Sequence, residues 1–408
     1  MVHIADDRIF IQSIVPTERQ LEIRWKDGHT SRFHYVWLRD NCDCAVCGDK
    51  SGGHRYLELL DLPLDVTPQA VCMEGDGHLA ITWQADGHKT RYAAVWLRAH
   101  CYSERARAER RPRSVHWDAS TFDALPDYEY PAVCANPEHR LRMLRSLRDY
   151  GFTILRGVPT EQSEIERVAG LFGFIRRTHY GRIFDLRSTP EQRILAQTSH
   201  AIRPHNDELF RDPAPGVLIM HCLAPSSDGG GASVLVDGFQ VANRLRAIDP
   251  DAFSVLTRVP IPHRRYLVDA VDDVALRAKW HTIELDDDGE VTAVRINERT
   301  MAPLDIPHDS VETVYRALRR FLELVYRVDA SIQFRLDASD AVVFDNHRVL
   351  HARTGFNGER HIRQCHVDRD EVFSRLRTLE HRLHGSSDGW SWSRASNAGT
   401  TVEPNHPE

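Results

Sequence analysis

The chain has 408 residues, of which 41% are hydrophobic and 27% charged, with a net charge of −7 at neutral pH. This length predicts roughly two or three domains, and the acidic balance argues against nucleic acid or an anionic membrane as the main partner. No apolar run approaches the ~20 residues that span a bilayer, and the N-terminus lacks the features of a secretory signal, so we expect a cytoplasmic protein.

The first hundred residues contain an internal repeat. Each copy has an alternating apolar segment, an Asp-Gly turn and a second segment, which predicts two strands joined as a hairpin. The turns are Asp27-Gly28-His29 and Asp86-Gly87-His88, and the copies end on the similar segments 36–42 and 95–101. We therefore predict a small β-rich N-terminal domain, followed by the basic stretch 105–113 as a polar connector.

Three cysteines crowd into the loop after the second predicted strand, at Cys42, Cys44 and Cys47. Eight cysteines in a chain of this length do not make a disulfide framework, so this spacing favours a metal. Three thiolates and one imidazole form a closed structural zinc site, which would stabilise the domain without doing chemistry. The equivalent turns offer His29 and His88 as the fourth ligand, and the spacing alone does not choose between them.

Beyond residue 137 the pattern becomes mixed. Apolar stripes predict a helix ended by Gly151, a helix capped by Thr160, and a helix that starts at an Asp309–Glu312 capping box and carries Tyr315, Leu318, Leu322 and Val325. Short apolar runs bounded by turn residues predict the strands of a β-barrel or sandwich at 152–155, 217–220, 233–236, 291–296, 331–336 and 341–344. The sequence from Gly385 onward is poor in apolar residues and predicts a disordered tail.

The triplet His205-Asn206-Asp207 carries the chemistry. In an extended segment, side chains two positions apart share one face, so His205 and Asp207 can bind one metal together. They would then be one imidazole and the carboxylate of a 2-His-1-carboxylate iron triad, whereas the triplet alone also fits two solvated polar residues near a strand end. The third ligand is His347 or His351, which lie an even number of positions apart, so strand alternation does not distinguish them. The segment 360–363 adds a guanidinium, whose planar fork suits the distal carboxylate of a 2-oxo acid.

At these residues the chain resembles the γ-butyrobetaine hydroxylase and trimethyllysine hydroxylase group of 2-oxoglutarate-dependent iron oxygenases. The matching segments are 36–42, 215–217 with His221-Cys222, 236–239 and 345–353, in a resemblance that spans roughly residues 20–380. It implies a mainly β fold with flanking helices (α+β). A zinc-binding β domain (1–115) would precede a double-stranded β-helix, or jelly-roll, oxygenase domain (116–384) and the tail (385–408).

The resemblance also implies the roles of individual residues. His205, Asp207 and His351 match the iron ligands, Arg360 and Ser233 match the 2-oxoglutarate site, and Cys42, Cys44, Cys47 and His88 match the zinc ligands. The implied reaction is hydroxylation of an aliphatic C–H bond in a small polar or cationic substrate, such as a betaine, amino acid or phosphonate. It uses Fe(II), O2 and 2-oxoglutarate, with ascorbate as reductant, and releases succinate and CO2; a homodimer is the expected assembly.

Several substrate positions depart from the γ-butyrobetaine pattern. Tyr180 and Phe184 keep aromatic faces for a cation, but Gln197 and His366 stand at the two other positions of the aromatic cage. Ile194 occupies the carboxylate-anchoring position, and Arg299 offers a differently placed anchor. We therefore predict that γ-butyrobetaine is not the best substrate.

Three alternatives are weighed against this interpretation. They are a true γ-butyrobetaine hydroxylase of carnitine biosynthesis, a non-catalytic jelly-roll metal-binding module, and a jelly-roll isomerase or epimerase.

Overall fold

The computed structural model describes residues 10–49, 54–110, 114–187, 198–267 and 273–384. The chain forms two compact units, of which the first contains the described residues up to 110 and the second those from 114 to 383. Ile194, Gln197 and the predicted tail 385–408 lie outside the described residues. Among the helices that are described, none is long and apolar enough to cross a membrane.

The first unit is built from the two repeat copies. Each copy forms a three-stranded antiparallel sheet followed by a short helix. In chain order the elements are β1 (Ile11–Pro16), β2 (Gln20–Trp25), β3 (Thr30–His34), α1 (Tyr35–Asp40), β4 (Gly48–Asp49), β5 (His54–Arg55), β6 (Pro68–Met73), β7 (His78–Trp83), β8 (Lys89–Ala93), α2 (Ala94–Ala99) and α3 (Glu104–Arg110). The predicted Asp-Gly hairpins are confirmed as β2–β3 and β7–β8.

One prediction for this unit is wrong. The cysteine loop follows helix α1 and not a strand, because Tyr35 and Leu38 are buried at helical spacing. The described part of the stretch 105–113 belongs to helix α3, which is mostly exposed but buries Ala106 in the core of the unit, and Arg110 donates to the carbonyls of Ala99 and Cys101.

The two copies make equivalent contacts. The buried indoles of Trp25 and Trp83 each donate to a hydroxyl on the other strand of the same hairpin, Ser31 at 2.9 Å and Thr90 at 2.7 Å. The charged pairs are exchanged between the copies, since Arg39 pairs with Asp86 at 3.2 Å and Arg98 with Asp27 at 3.0 Å. Each helix is thus tied to the turn of the other copy.

The second unit has two sheets and surrounding helices. Its elements are β9 (Asp127–Glu129), α4 (Tyr130–Ala135), α5 (Pro137–Tyr150), β10 (Phe152–Arg156), α6 (Glu164–Gly170), β11 (Ile183–Arg187), β12 (Ile202–His205), β13 (Val217–Ala224), β14 (Ser233–Asp237), α7 (Gly238–Ile248), α8 (Pro250–Arg258), β15 (Pro260–Leu267), β16 (Val274–His281), β17 (Ile283–Leu285), β18 (Val291–Val294), α9 (Val311–Val325), β19 (Ser331–Phe334), β20 (Ala341–Asp345), β21 (Val349–Arg353), β22 (His361–Val367) and α10 (Arg369–His384). The predicted strand runs all fall within or overlap these strands.

A six-stranded sheet of order β11-β22-β13-β20-β10-β9 and a four-stranded sheet of order β12-β21-β14-β19 share a core. Leu218, Phe344 and Ile362 of the first sheet belong to the same buried cluster as Leu235 and Val349 of the second. Helices α5, α6 and α10 bury apolar side chains with the other face of the larger sheet. Helices α7, α8 and α9 do so with the smaller sheet. The inner face between the sheets is where the polar side chains described below are found.

Two helix starts differ from their predictions. Helix α6 begins at Glu164, with Ser163 and not Thr160 at its N-cap. Helix α9 begins at Val311, and no capping box forms because Asp309 lies in a preceding 3-10 turn. Tyr315 is 54% exposed. The buried stripe keeps the predicted Leu318 and Val325, but it uses Val314 and Phe321 where Tyr315 and Leu322 were predicted.

Candidate active site

Three predicted metal ligands meet at the end of the smaller sheet. His205 and His351 face each other across the antiparallel pair β12–β21, and Asp207 follows just beyond β12. The Asp207 Oδ1 atom lies 3.2 Å from His205 Nε2 and 3.7 Å from His351 Nε2. The potential ligand atoms of all three lie within 4.8 Å of one another.

Hydrogen bonding and burial prepare these groups for a cation. His205 Nδ1 lies 2.9 Å from the Arg203 carbonyl, so it donates there and leaves the Nε2 lone pair directed at the centre of the group. Burial and the neighbouring His205 lower the pKa of His351 to about 3. Burial by itself would raise the pKa of Asp207, but His351 and His205 hold it well below its ordinary value. An ionised carboxylate and two neutral imidazoles are the donor set of an open iron site.

His347 is outside this group. It lies in the turn between β20 and β21, so the strand alternation expected for it does not apply. Its Nε2 atom is 3.4 Å from the Ala214 carbonyl, and the metal-type cluster contains His351 in its place.

Three asparagines hold the segment 205–207 in shape. Asn206 is fully buried and bonds to the backbone, accepting from Ile296 N at 2.9 Å and donating to the Asn346 carbonyl at 2.6 Å. Asn346 and Asp207 exchange two hydrogen bonds at 2.8 and 3.0 Å, and Asn297 donates to the Asn206 carbonyl at 2.9 Å. Sequence reasoning missed Asn297 and Asn346 as supports, although both stand in polar segments already singled out.

A cavity adjoins the three ligands on the inner face. Arg360 and Ser233, the predicted co-substrate residues, line it together with His205, Asp207, His351, Leu186, Ile202, Met220, Leu235, Val342, Phe344, Ala352, Arg353 and Gln364. Arg360 is only 6% exposed, and among the described residues its guanidinium has a ring contact with Phe356 but no hydrogen-bond or ion-pair partner. Burial lowers its pKa. A buried guanidinium facing a cavity is a receptor for an anion such as a carboxylate.

Glycines allow the chain to pass close to this arginine. A Cβ on Gly230 would lie 2.6 Å from the Gly355 carbonyl oxygen. Gly231 has a φ of +70° and packs beside the Arg360 side chain. Larger residues would push this turn away from the cavity.

The predicted substrate residues form a second cluster beside Asp207. The rings of Tyr180 and Phe184 are 5.4 Å apart, and Phe184 meets His366 edge-on at 5.5 Å. Burial lowers the pKa of His366 to about 4. Gln197 and Ile194, expected beside them, are outside the described residues.

Two residues of this cluster were missed by the sequence reasoning. Gln364 lies on β22 two positions before His366, and its Nε2 donates to Asp207 Oδ2 at 3.0 Å and lies 3.2 Å from His366 Nε2. Glu208 is buried directly after Asp207, and burial raises its pKa to about 7 against the opposing effect of Arg211. Glu208 directly follows the triplet His205-Asn206-Asp207 in the sequence, but a local sequence pattern does not predict its burial.

Arg299 is tied to the same region through Asn297. It lies in the 3-10 turn Glu298–Thr300, which directly follows the asparagine bonded to Asn206. Burial lowers the pKa of Arg299 while Asp207 raises it. Among the described residues its guanidinium has no hydrogen-bond or ion-pair partner.

The four predicted zinc ligands converge in the first unit. His88 Nε2 lies 3.3, 3.5 and 3.6 Å from the Sγ atoms of Cys42, Cys44 and Cys47, and all four ligand atoms lie within 4.8 Å of one another. These spacings suit a tetrahedral ion with ~2.0–2.3 Å ligand bonds. His29 is not part of the cluster and lies 3.2 Å from Cys101 Sγ.

Comparison with known proteins agrees with this picture. The model of the "Taurine catabolism dioxygenase TauD, TfdA family" matches residues 84–366, and that of "Gamma-butyrobetaine hydroxylase-like, N-terminal" matches residues 13–98. The chain is 36% identical to the gamma-butyrobetaine dioxygenase of Pseudomonas sp. (strain AK-1), over 92% of this chain and 99% of that protein. It is 29% identical to the human gamma-butyrobetaine dioxygenase, over 90% and 96% of the two chains.

A trimethyllysine dioxygenase from Meyerozyma guilliermondii is 28% identical, over 88% of this chain and 93% of that protein. The predicted relationship is therefore confirmed along nearly the full length. The chain belongs to the taurine catabolism dioxygenase TauD/TfdA family and is an Fe(II)- and 2-oxoglutarate-dependent dioxygenase.

Proposed function

We propose that His205, Asp207 and His351 hold Fe(II) and that Arg360 and Ser233 hold 2-oxoglutarate in the adjoining cavity. The observation that carries this proposal is the buried Arg360 guanidinium, which lines the same cavity as the three ligands and has no ion-pair partner among the residues that the structure describes. Leaving such a charge without a counter-ion is costly, so an anionic co-substrate accounts for its presence. Ser233, on strand β14, adds a hydroxyl to the lining of the same cavity.

The reaction follows from this arrangement. Fe(II) with 2-oxoglutarate supplies O2-dependent hydroxylation, in which substrate, O2 and 2-oxoglutarate become hydroxylated substrate, succinate and CO2. The chain's own share is orientation: the asparagines fix the ligand segment, Arg360 fixes the far end of the co-substrate, and the aromatic cluster fixes the substrate. The apolar side chains Leu186, Val342 and Phe344 keep water from that cavity.

We further propose that the substrate is a small polar or cationic molecule bound by Tyr180, Phe184 and His366, with Arg299 receiving an acid group. Gln197 and Ile194 are assigned to the same site from the sequence alone. Arg299 supports an acid group because its guanidinium is unpaired within the described part of the chain and lies next to the iron-binding segment. The gamma-butyrobetaine and trimethyllysine relatives support a substrate that carries nitrogen and carboxylate.

The second unit is proposed to be a double-stranded β-helix of residues 116–384, since two antiparallel sheets share one core. The first, residues 1–115, is proposed to be a structural zinc domain with Cys42, Cys44, Cys47 and His88 as ligands. A homodimer, a cytoplasmic location and a requirement for ascorbate stay predictions from the sequence.

The iron assignment is tested by single substitutions with an internal control. We expect His205→Ala, Asp207→Ala and His351→Ala to lose Fe(II) and all substrate-dependent succinate release, because each removes one donor of the open site. His347→Ala should keep Fe(II), because its imidazole bonds to Ala214. Metal analysis and succinate assays check both, and iron lost from the His347 variant but kept by the His351 variant would refute the assignment.

A further inference from the structure

Glu208 is a buried carboxylate with one unused oxygen. It is 6% exposed and immediately follows Asp207. Its Oε2 atom accepts from Arg211, whereas its Oε1 atom is buried and has no hydrogen-bond partner among the described residues. His366 Nδ1 lies 3.7 Å from Oε1, which is too far for a hydrogen bond.

This oxygen belongs to the aromatic cluster of the substrate site. His366 lies between Glu208 and Phe184, and Phe184 in turn contacts Tyr180. Gln364 links the same imidazole to Asp207. Oε1 of Glu208 is therefore linked to the ring of Phe184 through His366, and Glu208 is the sequence neighbour of Asp207, the proposed iron ligand.

The backbone at Glu208 is also unusual. Its φ is +51°, in the left-handed region that non-glycine residues rarely adopt. Such conformations persist where the surroundings hold them, and they concentrate at functional sites. A strained, buried carboxylate with an unsatisfied oxygen is the combination expected of a group that awaits a donor from a ligand.

The hydrogen-bond pattern around His366 does not supply that donor. Gln364 Nε2 donates to Asp207 Oδ2 and also lies 3.2 Å from His366 Nε2. Within the described part of the chain, Nδ1 is buried without a hydrogen-bond partner. At 3.7 Å, Nδ1 and Glu208 Oε1 are in contact but are not hydrogen-bonded to each other.

Building on the proposed function, we propose that Glu208 Oε1 accepts a hydrogen bond from a protonated amino group of the substrate. The enzyme would therefore select ammonium groups that carry N–H over trimethylammonium. Among ammonium groups, only one that carries hydrogen on nitrogen can donate to Oε1. A trimethylammonium group has no donor and would bury the oxygen still unpaired. Tyr180 and Phe184 attract any cation, so they do not make this distinction.

The test uses the wild-type enzyme and substrates that differ only in N-methylation. One series runs from 4-aminobutanoate to its trimethyl form, γ-butyrobetaine, and the other from lysine to N6-trimethyllysine. In each series we compare the member with the highest kcat/KM among those that carry N–H with the trimethyl member. We expect kcat/KM for succinate release to be about 10- to 100-fold higher for the former. Equal or better turnover of the trimethyl members, or no binding by any member of either series, overturns the proposal.

A pair of variants assigns the preference to one side chain. Glu208→Gln keeps the shape but removes the charge, and we expect it to reduce the preference for N–H members by about tenfold or more. Glu164→Gln is the matched control, because Glu164 is a buried carboxylate that accepts from Tyr130 and packs with the helices on the other face of the sheet. An unchanged preference in Glu208→Gln, or the same loss in Glu164→Gln, contradicts the assignment.

The two proposals fail separately in this design. Fe(II) and 2-oxoglutarate binding, together with slow substrate-independent 2-oxoglutarate consumption, are measured without any amine. Their absence from the wild-type protein counts against the iron and co-substrate assignment. Their presence with no preference for N–H donors counts against Glu208 alone.

Discussion

Gln364 connects Asp207, a proposed iron ligand, to the cluster of Tyr180, Phe184 and His366. The residue is 3% exposed, and its amide nitrogen lies within hydrogen-bond distance of both Asp207 and His366. Groups that hydrogen-bond a metal ligand fix its orientation and basicity, and their loss typically lowers metal affinity about 10- to 100-fold. Asp207 is thus positioned from its backbone by Asn346 and from its side chain by Gln364.

We therefore predict that Gln364→Met, which preserves volume without donors, weakens Fe(II) binding by about 10- to 100-fold. Gln333→Met is the control, since Gln333 is exposed on strand β19 of the smaller sheet. Equilibrium titration with Fe(II) under anaerobic conditions measures both dissociation constants. Identical constants for the two variants would remove Gln364 from the positioning role.

The position of Arg360 leads to a separate prediction about the binding of 2-oxoglutarate. Removing the partner of a buried carboxylate costs on the order of 3–5 kcal/mol, so Arg360→Ala should raise KM for 2-oxoglutarate by at least about 100-fold. The KM for the prime substrate should change far less. Arg363→Ala is a nearby control, because Arg363, on the following strand β22, pairs with Asp185 at 3.3 Å. Equal changes in both KM values for Arg360→Ala would indicate a structural role.

At the scale of elements, one buried ion pair joins several segments of the second unit. Arg348, in the turn between β20 and β21, donates to both oxygens of Asp237 at 3.0 and 2.9 Å, with 2% and 0% of the two side chains exposed. The same guanidinium donates to the carbonyls of Asp149 and Val115. Asp237 also caps helix α7, so this pair ties the ends of β14 and α5 to the turn that leads to His351.

Arg348→Met should therefore destabilise the second unit by about 3–5 kcal/mol, because Asp237 would remain buried without its cation. Arg319→Met is the control, since the exposed Arg319–Glu323 pair on α9 should contribute only about 0–1 kcal/mol. Hydrogen exchange of peptides from β14 and β20–β21 reports the change. A cost below 1 kcal/mol for Arg348→Met would show that this network is not required for stability.

The elements also show what sequence patterns can and cannot predict. The hairpins and central strands were predictable because alternation and Asp-Gly turns are local signals. Helices α1 and α2 were not, because six residues rich in Val, Trp and Leu also suit a strand. The choice between His347 and His351 needed the turn at 346–348, and Glu208 needed the backbone to bury it, neither of which a single sequence specifies.

At the scale of the whole molecule, the repeat in the first unit explains why one zinc is expected and not two. The positions equivalent to Cys42, Cys44, Cys47 and His88 in the other copy are Cys101, Ser103, Ala106 and His29. His29 and Cys101 do meet, at 3.2 Å, but only one thiol and one imidazole remain there. Two donors of this kind are too few for the four-coordinate structural site that zinc prefers.

We accordingly predict one zinc and one iron per chain in the enzyme loaded with both metals. Cys44→Ser should lose the zinc and its contribution to folding of the first unit, because structural zinc binding is itself part of the folding free energy. The iron should be retained, since its three proposed ligands all belong to the second unit. Elemental analysis and hydrogen exchange of β2–β3 and β7–β8 measure these effects, with Cys72→Ser as the control because Cys72 is exposed and outside the cluster. Zinc retained by Cys44→Ser, or lost equally from Cys72→Ser, would show that this thiolate is not a ligand.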